Sequence, residues 1–130
     1  MAQVELIAQR GKIEAHIGTE TVLFKSKGAE SEVGHWPVEY LLAALGSCFA
    51  GTVFAYAQTK NFPLEKVVSR ISGELASSPS RVQKIEMEVE LIGNLTYEEK
   101  ERILKAGEKG CTVMNTLRGG VEEIVTKLSY

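Results

Sequence analysis

From Tyr40 to Ala57 the chain runs 18 residues without a charge, YLLAALGSCFAGTVFAYA. A stretch of that length and polarity is long enough to cross a bilayer, so it forces a choice between a membrane span and a soluble protein with an unusually apolar centre. The soluble reading is preferred. Gly, Ser, Cys, Thr and two Tyr interrupt the run, Glu39 and Lys60 flank it closely, and the rest of the chain is patterned as a soluble α+β domain. A helix that is apolar all round has to be covered on every side. A single domain of 130 residues has little surface to spare for that, and a second subunit supplies the missing cover. Ala43, Ala44, Gly46, Ala50 and Gly51 would let two backbones approach closely there.

Charge narrows the partners. Fifteen Lys and Arg stand against 17 acids, a net charge of -2 with no long basic cluster, so neither nucleic acid nor an anionic membrane is an expected partner. All the acids are Glu, which excludes a Ser/His/Asp triad or an aspartyl dyad in their usual form. The two His, His16 and His35, and the two Cys, Cys48 and Cys111, are scattered without a CxxC, HxH or HExxH, so no metal or bound cofactor is expected. The start lacks the pattern of a secretory leader, and the expectation is a cytoplasmic protein whose thiols begin reduced.

The remaining signals give one domain over residues 1–130. Short apolar runs at Val4 to Ala8, Lys12 to Ile17 and Thr21 to Phe24, separated by Gly11 and Gly18, predict an antiparallel meander. KSKGAESEVG, from Lys25 to Gly34, is a loop, and Trp36-Pro37 starts the uncharged helix. Asn61 to Pro63 ends it. Leu64 to Ala76 and Arg81 to Gly93 read as two strands joined by a turn at SSPS, with a slip of alternation near Lys84 that predicts a bulge. Thr96 and Glu99 form a capping box that opens a helix running to about Lys109. Gly110 stops it, Cys111 to Leu117 makes a short turn or helical piece, and Val121 to Leu128 is expected to close the domain as a strand.

Two residues stand out for chemistry: Cys48, mid-way along the apolar helix, and Cys111, directly after a helix-stopping Gly. Read as residues alone they are buried small hydrophobes or a pair of reactive thiols. PVEYLLAALGSCFAGTVFAYA, residues 37 to 57, resembles the central helix of the OsmC/Ohr superfamily, in which a P.E.L.AA....C pattern leads into the first cysteine. GEKGCTVMNTL, residues 107 to 117, resembles the segment around that family's second cysteine, and the order of elements also matches.

The resemblance implies an α+β OsmC-like fold, with antiparallel sheets around a long buried central helix, in an intertwined homodimer. It implies a thiol peroxidase acting on organic hydroperoxides, with Cys48 as the attacking thiolate and Cys111 as the resolving thiol, reopened by a dithiol reductant. By the same carry-over Arg10 is the arginine that activates Cys48, with Arg118 in reserve. The family's Glu falls directly after the helix-starting proline, where this chain has Val38; Glu39 lies one position later, an arrangement that resembles the YhfA-like branch. Nine helical residues separate Glu39 from Cys48, about 13.5 Å, so Glu39 would act where two subunits meet, or serve only the helix dipole. His35 and Trp36 stand before the helix, and Phe49, Phe54 and Tyr56 are expected to line an apolar pocket that favours an alkyl or lipid hydroperoxide. Two other functions remain open: a redox-inert dimeric protein binding an apolar small molecule, and another enzyme using Cys48 as a nucleophile.

Overall fold

A computed structural model describes residues 2–129. The chain forms two compact units, Met1–Leu42 and Ala43–Tyr130, with the boundary inside the central helix.

In the first unit β1 (Glu5–Gln9), β2 (Lys12–Ile17) and β3 (Glu20–Phe24) form an antiparallel sheet in the order β1-β2-β3. Leu6 lies opposite Ala15 and Ala15 opposite Val22, while Ala8, Ile13 and Phe24 make the next row, so these two rows share one apolar face. The loop that follows is pinned by Ser31, which is buried and donates its hydroxyl to the Phe24 carbonyl at 2.8 Å. Pro37 then opens α1 (Pro37–Lys60), and one turn in, Tyr40 donates to the Leu23 carbonyl at 2.7 Å and tilts its ring against Phe24.

In the second unit β4 (Leu64–Ala76) and β5 (Arg81–Gly93) make a long antiparallel hairpin. The expected slip is present: Glu74 pairs with Lys84 and Leu75 with Val82, leaving Gln83 as the bulged residue. The capping box closes on α2 (Tyr97–Gly110), with Glu99 N–H donating to Thr96 Oγ1 at 3.1 Å and Thr96 N–H to Glu99 Oε1 at 2.9 Å. The core of the unit joins Leu45, Phe49, Val53 and Ala57 of α1 to Leu91, Ile103 and Cys111. These four α1 residues recur at i, i+4, i+8 and i+12, one stripe of the helix.

Its own unit covers the central helix on that stripe, while Ala43, Ala44, Ser47, Gly51, Phe54 and Ala55 are exposed. One hairpin and two short helices supply enough apolar surface for one face, as expected for so apolar a helix in so small a domain. One expectation changes. Val121 to Leu128 is not a strand. The segment makes no ladder with β1 to β5 and is exposed throughout, with Ile124 at 82% and Leu128 at 83%, because a strand needs a neighbour to take its peptide groups and this chain offers it none.

Candidate active site

The packing of α2 on α1 sets the position of Cys111. Gly107 is buried, and a Cβ there would lie 2.6 Å from both Phe49 Cε2 and Val53 Cγ1, so only glycine lets the helices come this close. One turn later a Cβ on Gly110 would lie 3.0 Å from Thr52 Cγ2. Thr52 is the residue whose hydroxyl donates to the Cys48 carbonyl, at 2.9 Å. The chain therefore leaves α2 directly over the turn of α1 that carries Cys48.

Cys111 is the hinge between α2 and α3 (Thr112–Gly119). Its backbone is extended, its N–H donates to the Gly107 carbonyl at 3.0 Å, and its side chain is fully buried. Its sulfur caps α3, accepting the Met114 N–H at 3.4 Å. The first peptide N–H groups of a helix have no partner within it, and those of Val113 and Thr112 act on the Cys48 thiol as lowering influences.

The two thiols are free and perturbed in opposite directions. The Val113 N–H, then the Cys111 thiol, and more weakly the Thr112 N–H hold Cys48 below the ordinary thiol value, against a desolvation that acts the other way. Burial pushes Cys111 up, and its bond to Cys48 adds to the rise, while the Met114 and Val113 N–H groups oppose it. Cys48 is half-buried and Cys111 fully buried. At a pH where one sulfur of the pair ionises, that sulfur is Cys48, with Cys111 keeping its proton and donating to it.

Of the residues predicted from sequence, the structure brings Cys48 and Cys111 together. Arg10 lies in the N-terminal unit, where its Nη1 pairs with Glu30 Oε1 at 2.6 Å, both side chains well exposed. Glu39 accepts the Trp36 N–H at 3.0 Å and approaches His35 Nδ1 at 3.8 Å, the reciprocal half of a helix cap. Arg118 is exposed, 3.9 Å from Glu108 Oε2. Phe49 faces the core, whereas Phe54 is 40% exposed, so one chain does not build a pocket from Phe49, Phe54 and Tyr56 together. Among the described residues no three His, Cys or Glu side chains cluster as metal ligands. The N–H donors of Thr112 and Val113 went unforeseen: backbone groups have no residue-type signature, and the helix-stopping Gly110 ahead of a second helical piece was the one available signal.

The family now follows from comparison. The OsmC-like protein family matches residues 28–125, and the chain belongs to it. Its fold is that of an OsmC-like protein from Mycoplasma pneumoniae, with a TM-score of 0.81 at 18% identity over 92% of this chain and 89% of that one. It is similar also to an organic hydroperoxide resistance protein OsmC from Legionella pneumophila, with a TM-score of 0.71 at 18% identity over 92% and 90% of the two chains. The organic hydroperoxide resistance protein OhrB of Bacillus subtilis aligns at 0.62 with 19% identity over 92% of each chain. No curated protein sequence matches.

Proposed function

We propose that the protein is a two-cysteine thiol peroxidase that reduces organic hydroperoxides. The observation that carries this reading is the pair of free thiols brought together where the end of α2 meets α1, with Cys48 lowered and Cys111 raised. The Cys48 thiolate attacks the terminal oxygen of the hydroperoxide, the O–O bond breaks, and the alkoxide leaves and takes up a proton as the alcohol. Cys48 is then a sulfenic acid. The Cys111 thiol attacks that sulfur, water leaves, and a Cys48–Cys111 disulfide forms. A dithiol reductant reopens it by exchange and is itself oxidised.

Hydroperoxide resistance proteins among the structural neighbours support the substrate class, as does the uncharged run around Cys48, which suits an alkyl or lipid chain better than hydrogen peroxide. The enzyme works as a cytoplasmic homodimer. The exposed apolar side of α1 and the unpaired segment from Val121 to Leu128 are the surfaces a second copy covers. In that dimer Arg10 and Glu39 are the charged residues offered to the thiol site. The test is turnover of cumene hydroperoxide with dithiothreitol. Cys48→Ser abolishes it, whereas Cys111→Ser reacts once and stalls as a sulfenic acid that dimedone traps. Equal loss of the first reaction in both variants contradicts the roles.

A further inference from the structure

We infer that both half-reactions pass through one opening and one sulfur: the dithiol reductant attacks the Cys48 sulfur of the Cys48–Cys111 disulfide, forms its mixed disulfide there, and expels Cys111, which meets no molecule from solvent. The inference rests on the peroxidase reading for the place of the disulfide in the cycle, and adds the direction in which it is reopened.

The two sulfurs differ in what can reach them. Cys111 has no exposed surface and belongs to the core cluster with Phe49, Val53 and Ile103. Its backbone N–H is held by the Gly107 carbonyl at 3.0 Å, and its sulfur accepts the Met114 N–H at 3.4 Å. A second copy can only bury it further. Cys48 is half-buried on α1 among the exposed small residues Ala44, Ser47 and Gly51, and a Cβ on Gly51 would meet nothing within 4 Å. Whatever covers the rest of that helix in a dimer leaves a way to Cys48, because the hydroperoxide has to arrive there.

Leaving-group chemistry and access pull in opposite directions. Exchange is faster when the departing thiol is the more acidic one, and Cys48 is the lowered member of the pair, so leaving-group order alone favours attack on Cys111. Access overrules it, because a sulfur with no open side offers an incoming thiolate no line of approach. The reductant thiolate bonds to Cys48 Sγ, the electron pair of the broken S–S bond goes to Cys111 Sγ, and that sulfur takes up a proton. The Met114 N–H already donates to this sulfur and eases its departure. The second thiolate of the reductant then attacks its own partner sulfur in the mixed disulfide, Cys48 leaves as thiolate, and the reductant departs as a disulfide.

The experiment starts from wild-type protein oxidised with diamide, which closes the disulfide without peroxide. 2-Mercaptoethanol is added briefly, the mixture is quenched in acid, and free thiols are blocked with N-ethylmaleimide in denaturant before peptide mapping. The mercaptoethanol adduct is expected on the Cys48 peptide and N-ethylmaleimide on the Cys111 peptide, about tenfold or more in excess of the reverse pattern. Dithiodipyridine reads the same access in the reduced variants. Cys111→Ser reacts through Cys48 about a hundredfold faster than Cys48→Ser does through Cys111, whose rate waits on local opening and rises with urea below the unfolding transition. An adduct on Cys111, equal rates in the two variants, or a protein in which diamide closes no Cys48–Cys111 bond overturns the inference. Failure of the peroxidase reading looks different: the adduct maps to Cys48, yet cumene hydroperoxide leaves both thiols free.

Discussion

Replacing Gly107 by Ala tests the contact on which the thiol pair depends. The new methyl carbon would stand 2.6 Å from Phe49 Cε2 and Val53 Cγ1 and 2.7 Å from Phe49 Cζ, about 1 Å inside the optimal carbon separation. Phe49 and Val53 are 1% and 0% exposed, so neither can swing into solvent. Overpacking at such a site costs about 3 kcal/mol, the upper part of the usual range. Alanine returns about 1 kcal/mol of helix propensity, leaving a net loss of about 2 kcal/mol. For a chain of this size that is a fall of about 8 °C in Tm, measured by calorimetry or by urea unfolding followed by circular dichroism. Gly119→Ala, where a Cβ meets nothing within 4 Å, is the control and is neutral or slightly stabilising. The displaced helix carries Cys111 with it, so alkylation of Cys48 near neutral pH also slows. A Gly107→Ala protein stabilised by the propensity gain alone would refute the close approach of α2 to α1.

Thr96→Ala removes the cap that takes the Glu99 N–H at 3.1 Å and costs about 1 kcal/mol in urea unfolding. The lowered Cys48 value sets the sign of a pH effect: above the unfolded thiol pKa of about 8.5 the unfolded state has lost the proton that the fold had already released. The stability of Cys111→Ser relative to Cys48→Ser/Cys111→Ser therefore rises with pH from the folded value of Cys48 up to the unfolded one and then levels. It falls away as pH drops through the folded value. Cys111 has the opposite sign, and its contribution is lost as pH rises through its raised value. Gly51→Glu puts a charge on the exposed side of α1 where a single chain has nothing within 4 Å, so it leaves the fold intact and converts the dimer to monomer in sedimentation. A stable folded wild-type monomer at micromolar concentration contradicts that assembly.

What the sequence made legible were the features whose causes are local. Pro37 and the Asn61 to Pro63 break bound α1, the Thr96/Glu99 pair opens α2, and the lost alternation at Lys84 marks the bulge opposite Glu74. The two cysteines were legible as residue types. Their relation came through the family resemblance and from no local pattern, because it depends on Gly107 and Gly110 acting as spacers against α1, far from Cys48 in the chain, rather than as helix stops. The segment from Val121 to Leu128 illustrates the other limit. Its β-branched and apolar residues suit a strand, but a strand is a relation between two segments, and its apolar positions 121, 124, 125 and 128 do not alternate to give one buried face. Glu39 was legible as a first-turn carboxylate, and its bond to the Trp36 N–H at 3.0 Å is that role realised.

The most direct measurement of the central claim is a thiol count on the reduced wild-type protein before and after one equivalent of cumene hydroperoxide per chain, with peptide mapping of the product. The account predicts that both thiols disappear together, that the map shows Cys48 joined to Cys111, and that one cumyl alcohol forms per disulfide. Two thiols still free after the peroxide is added, or Cys48 oxidised alone while Cys111 remains a thiol, would contradict it.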